Sequence, residues 1–131
     1  MREGGCLCGA VRYRVEGEPR VVVHCHCRMC QKSSGAAFLT WATFAAPALR
    51  YTRGEPKSFH SSDHAVREFC GACGSQLVFR SDGKDSLDVT VGSFDAPDAF
   101  QPVGNIWVAS RRAWMHGFDA RLEDVEGDWP E

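Results

Sequence analysis

Seven cysteines in a chain of 131 residues carry most of the chemistry legible in this sequence. They fall into three clusters: Cys6-Leu7-Cys8, Cys25-His26-Cys27-Arg28-Met29-Cys30 and Cys70-Gly71-Ala72-Cys73. In an extended chain residues i and i+2 share a face, so each Cys-x-Cys pair can aim two sulfurs at one ion. A Cys-x-x-Cys pair does the same through a turn. Gly71 and Gly74 flank that turn, where glycine tolerates positive φ and lets backbone N–H groups approach the thiolates. An odd number excludes complete pairing as disulfides within one chain. The amino terminus shows no apolar signal segment, so the expected location is the cytoplasm, where thiols stay reduced.

Four thiolates close a tetrahedral structural zinc site, whereas a catalytic zinc keeps three protein ligands and an open position. The partition that costs the least loop entropy gives Cys25, Cys27 and Cys30 one ion. Cys6, Cys8, Cys70 and Cys73 then close a second site across a long loop, as a staple. Three alternatives remain open on spacing alone: a single zinc with three spare cysteines, a set of buried free thiols, and a second site closed by His24 or His26. In a strand both histidines point away from the face holding Cys25 and Cys27, which weighs against the last.

An open three-thiolate zinc suits a thiol substrate, because the ion stabilises the deprotonated sulfur for attack on a carbonyl carbon. A thiol of pKa about 8.5 is a few per cent ionised at pH 7, so complete ionisation supplies at most about thirtyfold, and positioning must supply the rest. Three thiolates also leave the site with a net charge of about -1, a poor Lewis acid for activating water. Cys25, Cys27 and Cys30 are therefore the expected catalytic residues. Arg28 and Lys32 are candidate partners for substrate carboxylates, with a solvated surface role equally compatible with their type. Gln31, Ser33 and Ser34 are candidate hydrogen-bonding groups for a peptide-like ligand.

The elements that must position these residues are mostly strands. Val11, Tyr13 and Val15 alternate with Arg12 and Arg14, as a half-buried strand requires. Similar short segments run over 20–24, 36–44, 49–52, 65–69, 76–80, 87–91 and 106–110, and the polar stretch 81–86 reads as a hairpin loop. A short helix is expected over 28–34 and another near 110–114. Trp41, Trp107, Trp114 and the eight phenylalanines are expected mainly in the core. The tail 126–131 could fray or dock through Trp129.

Composition bounds the rest. The chain is 44% hydrophobic and 24% charged, within the range of globular proteins, with no repeat or linker, so a single domain over 1–131 is expected. A net charge of -2 without a basic run argues against nucleic acid, and no stretch approaches the ~18 apolar residues of a membrane span.

The strings Gly5-Cys6-Leu7-Cys8-Gly9-Ala10-Val11-Arg12-Tyr13, Cys25-His26-Cys27-Arg28-Met29-Cys30-Gln31-Lys32 and Cys70-Gly71-Ala72-Cys73-Gly74-Ser75, with Ile106-Trp107-Val108 and Trp114 downstream, together resemble the glutathione-dependent formaldehyde-activating enzyme family. The resemblance implies a mainly β, β-tent zinc-binding fold of small antiparallel sheets with one or two short helices. It implies a structural zinc on Cys6, Cys8, Cys70 and Cys73 and a second zinc on Cys25, Cys27 and Cys30, in agreement with the partition by spacing. It also implies a carbon–sulfur lyase that adds glutathione to formaldehyde, giving S-hydroxymethylglutathione, or reverses that addition. Asn105 stands where many relatives have a histidine, and asparagine does not titrate near neutral pH. The competing expectation is a non-catalytic zinc module for a protein partner. A methionine sulfoxide reductase on a similar fold would need a redox-active cysteine beyond the ligands, and none follows Cys73.

Overall fold

A computed structural model describes residues 1–130 as two β-sheets, one short helix and several 3-10 turns. The strands are β1 (Arg2–Gly5), β2 (Arg12–Val15), β3 (Val21–Cys25), β4 (Leu39–Ala45), β5 (Leu49–Arg53), β6 (Lys57–Ser62), β7 (Ala65–Phe69), β8 (Gln76–Ser81), β9 (Ser86–Thr90), β10 (Gly104–Ile106) and β11 (Glu123–Val125). Strands β1, β2 and β5 form a three-stranded antiparallel sheet. The rest form an eight-stranded sheet in the order β11-β10-β3-β4-β9-β8-β7-β6. The mainly β architecture expected from the sequence is present. The larger sheet is mixed, because β10 runs parallel to both β3 and β11.

Side-chain alternation splits the large sheet into two faces with different tasks. Val22, Ala42, Phe44, Leu87 and Val89 point to the main core, where they meet Tyr13 and Val15 of the small sheet. The residues between them, Val21 and Val23 of β3, Trp41 and Thr43 of β4, and Asp88 of β9, line the opposite face. The hairpin expected at 81–86 joins β8 and β9.

The helix α1 spans Arg28–Ser34, as the sequence predicts. The Cys27 sulfur caps its amino terminus by accepting from the Cys30 N–H, and Gly35 ends it in the left-handed conformation at φ 72°. Two expectations need correction. The strand predicted over 106–110 stops at Ile106, because Trp107 turns left-handed at φ 56° and Val108–Ser110 form a 3-10 turn. The helix expected near 110–114 is a second 3-10 turn at Ala113–Met115.

Trp41 is buried, but Trp107 is 40% and Trp114 74% exposed, and Phe59 and Phe118 are also exposed, so the expectation of a core role fails for these four. Trp129 docks instead of fraying. Its ring lies against Gly104, where any Cβ would run into it, and the Trp107 Nε1–H donates to Asp128 Oδ1 at 3.1 Å.

Candidate metal centre

The fold gathers the cysteines into two groups, Cys6 with Cys8, Cys70 and Cys73, and Cys25 with Cys27 and Cys30; within each group the sulfurs lie within 4.8 Å of one another. The first group draws on the loop after β1 and the turn between β7 and β8. Its Sγ–Sγ separations include 3.7 Å for Cys6–Cys8 and 3.8 Å for Cys8–Cys70. A disulfide would need about 2.05 Å. Four sulfurs about 2.3 Å from a central zinc form a tetrahedron with edges of about 3.8 Å, so the donor set fits that ion in number, type and spacing. Backbone N–H groups of Val11, Ala72 and Cys73 approach the sulfurs at 3.2–3.5 Å, donors that orient thiolates and spread their charge. Hydrogen bonding from Ser75 holds the Cys73 thiol well below its ordinary value, at about 5. Cys6 and Cys70 are buried in the main core, so an ion held here would tie both sheets together.

The second group is built by one short stretch. Cys25 ends β3, Cys27 caps α1 and Cys30 lies in its first turn. Cys25 and Cys30 are buried with Trp41, against Phe79 and Ile106. Hydrogen bonds from Cys25 and then Cys30 push the Cys27 thiol down to about 2, while the same contact with Cys27 pushes Cys25 up. Three crowded thiols share protons in this way, and a dication displaces those protons.

Neither histidine joins the group. His24 Nδ1 bonds Thr40 Oγ1 at 2.8 Å, and His26 Nε2 bonds Asn105 Oδ1 at 2.8 Å, both on the far face of the sheet as strand alternation requires. Asn105 Nδ2 donates to Asp124, so its oxygen must accept and His26 must carry its proton on Nε2. The other nitrogen, Nδ1, is then an acceptor without a hydrogen-bond partner among the described residues, and burial lowers the His26 pKa. Asn105 is 2% exposed and links β10 to β11 and to the residue that follows β3 through side chains, a structural task that requires no titration.

The sequence reading missed Arg67. This β7 residue is 6% exposed, makes no ion pair with a carboxylate among the described residues, and points two guanidinium nitrogens at Cys30 Sγ, at 3.6 and 3.7 Å. It lies over the rings of Phe79 and Trp41 at 5.2 and 5.9 Å. A buried guanidinium demands an anion, and Cys30 would supply one once an ion held by the triplet displaced its proton. With Arg67 counted, a dication on three thiolates is neutral overall.

Among the candidate substrate residues, Arg28 and Lys32 are exposed beside the triplet, whereas Gln31 is buried and committed. Its Nε2 donates to the carbonyls of His26 and Ser110, and its Oε1 accepts from Arg28. Both amide hydrogens are used to tie α1 to the segment after β10, which leaves Gln31 no free donor for a ligand.

Residues 1–110 match the sequence profile described as glutathione-dependent formaldehyde-activating enzyme. The chain belongs to this family. An uncharacterized lyase of Schizosaccharomyces pombe is 31% identical over 93 residues, which cover 70% of this chain and 67% of that protein. The fold is similar to a crystal structure of a Rhodobacter sphaeroides protein, with a TM-score of 0.63 and 23% identity over 76% of this chain and 96% of the other. The cysteine clusters that carry the family resemblance are the ones that the fold gathers into ligand sets. Among the described residues no helix is long and apolar enough to cross a membrane.

Proposed function

We propose that this chain is a zinc-dependent carbon–sulfur lyase that joins a glutathione-like thiol to formaldehyde or a similar small carbonyl, and reverses that addition. The observation that carries the reading is the sulfur triplet of Cys25, Cys27 and Cys30, which has no fourth cysteine, histidine or carboxylate within ligand distance among the described residues. A zinc ion held there would stabilise a substrate thiolate, and one held by Cys6, Cys8, Cys70 and Cys73 would be structural. In the addition, the thiol sulfur forms a bond to the carbonyl carbon, the C=O π pair moves to oxygen, and that oxygen takes up the proton that the thiol gave up.

The protein's own part is positioning and charge. The Cys30 N–H, 3.3 Å from Cys27 Sγ, and the Arg67 guanidinium hold two of the sulfurs in place. Arg67 also offsets the charge of a further thiolate, which would otherwise enter a site already negative. Trp41, Phe79 and Ile106 wall the triplet with apolar surface and exclude water, so electrostatic terms act at low dielectric. Arg28 and Lys32 offer cations at its edge. The family description and the lyase relative support the reaction class, and the free thiols fit a cytoplasmic setting.

Cobalt substitution tests the reading. Glutathione should perturb the sulfur-to-cobalt charge-transfer bands of the loaded protein, and Cys27→Ser should abolish the change. Bands that stay fixed at millimolar thiol would refute it and leave the non-catalytic zinc module.

A further inference from the structure

The face of the large sheet opposite the core carries a cleft of about 590 Å³, a volume within the range of small-molecule sites. Among the described residues no cysteine lines it. Trp41, Phe79 and Ile106 belong both to its lining and to the wall around Cys25 and Cys30, so these side chains stand between the cleft and the sulfurs. The cleft is therefore a chamber of its own, and the thiol chemistry proposed above makes no use of it.

Two indoles frame it. Gly104, Val23 and Trp41 stand in one cross-strand row over β10, β3 and β4. The Trp129 ring occupies the place that a Gly104 side chain would fill. At about 4.8 Å between neighbouring strands, Trp129 and Trp41 rise about 10 Å apart, with Val23 as the floor between them. That gap admits one flat apolar group in contact with both indoles, at ring distances of about 5 Å.

The next row supplies the charge. Asp88 pairs with Thr43, two residues along β4 from Trp41, which puts the carboxylate row about 7 Å from the indole row and on the same face. Of the five charged side chains that line the cleft, Arg20 pairs with Asp85 at 2.9 Å and Lys84 approaches Asp128 at 4.0 Å. Asp88 accepts from the Thr43 hydroxyl and has no ion-pair partner among the described residues, which leaves the lining one negative charge in excess. Burial holds the Asp88 pKa above its ordinary value despite that hydrogen bond and the nearby Lys84, so the ionised form lacks compensation. A carboxylate beside aromatic rings in a concave, largely apolar site is an arrangement that recognises an organic cation.

We infer that this cleft is a second ligand site, for a small primary amine with a flat apolar body. The body lies over Val23 between Trp41 and Trp129, and the ammonium group pairs with Asp88. Such a ligand needs no thiol and touches no sulfur, so the inference goes beyond the thiol reading of the triplet and stands independently of it.

The test uses the full, metal-loaded protein and isothermal titration calorimetry, with tryptamine as the amine and tryptophol, its neutral alcohol counterpart, as the control. Wild-type protein should bind tryptamine saturably at millimolar concentration, about tenfold or more tighter than tryptophol, the size of one charge-assisted hydrogen bond. Asp88→Asn, which keeps an acceptor for Thr43, should bring the two probes to equal affinity. Trp129→Ala should weaken both by about three- to tenfold and keep the preference for the amine. Glutathione at millimolar concentration should leave the tryptamine affinity unchanged.

Equal affinities in the wild-type protein, or no saturable binding of tryptamine, would overturn the inference. An Asp88→Asn variant that keeps the preference would do the same by moving the cation to Asp85 or Asp128, as would a Trp129→Ala variant that binds both probes like the wild type. Displacement of tryptamine by glutathione would overturn it by making the cleft part of the thiol site. Failure of the thiol reading looks different: cobalt bands unmoved by glutathione while tryptamine still binds with its charge preference.

Discussion

Replacing Arg67 by methionine removes the guanidinium but keeps a long apolar side chain over Phe79 and Trp41. Two opposite charges at the 3.6 Å separation of Arg67 and Cys30 attract by about 4–5 kcal/mol at an effective dielectric constant of about 20. A metal-bound thiolate carries only part of its charge, which reduces the interaction to roughly 1.5–3 kcal/mol, or about ten- to a hundredfold in metal affinity. The metal-free protein should not suffer correspondingly, because a buried cation without a carboxylate partner is itself costly. The assay is competition with a chromophoric chelator, followed on the cobalt-loaded protein so that the two ions can be told apart. The triplet site should release its ion about ten- to a hundredfold more readily in Arg67→Met, with the four-cysteine site unchanged as an internal control. Arg67→Lys should fall between, since it keeps the charge but not the paired donors. Wild-type affinity at the triplet in a natively folded Arg67→Met protein would refute the charge-compensation argument.

Cys70→Ser should collapse thermal stability, because structural zinc contributes ~10–16 kcal/mol in small metal-dependent domains, comparable with a whole domain's ~5–15 kcal/mol. Cys27→Ser should instead keep a near-native circular dichroism spectrum and lose about one equivalent of metal, since the triplet crosslinks little chain. Asp88→Asn should raise Tm at pH 7. The Asp88 pKa is raised by burial in the folded state, so the native protein binds more protons than the unfolded chain and stability falls as pH rises above the unfolded value of about 3.9. The gain from Asp88→Asn should therefore fade toward pH 3, which parallel thermal melts would reveal. A gain that persists there would mean that Asp88 is not the destabilising charge.

The grouping of the cysteines was legible because it depends on spacing along the chain: the triplet occupies six consecutive residues, and α1 begins on one of its sulfurs. Strands with clean alternation were legible for the same local reason. Strand β6, Lys-Ser-Phe-His-Ser-Ser, was not, because as an edge strand it buries neither face. Strand β1 hides behind two glycines, of which Gly4 is required by the close approach of the Tyr13 ring. Strand β11 is acidic and exists through its parallel pairing with β10. Arg67 looked like an ordinary surface charge by type. Its signal was parity: it sits between Ala65 and Phe69 at spacing two, on the side of β7 where Ala65 is buried. Asp88 alternates with Leu87 and Val89 and so takes the face opposite theirs, but its surroundings depend on a register linking strands far apart in sequence. Exposed Trp114 has no hydrogen bond or ring contact among the described residues that explains it.

Arg67 and Asp88 belong to the same cross-strand row, joined through Phe79. A strand cannot slide by a fraction of a residue, and a slip of one sends every side chain to the other face. The guanidinium beside the sulfurs and the carboxylate two strands away are therefore locked to each other by the ladder. A slip of β8 by one residue would undo the whole row at once, sending Phe79 to the core face and parting Arg67 from Asp88.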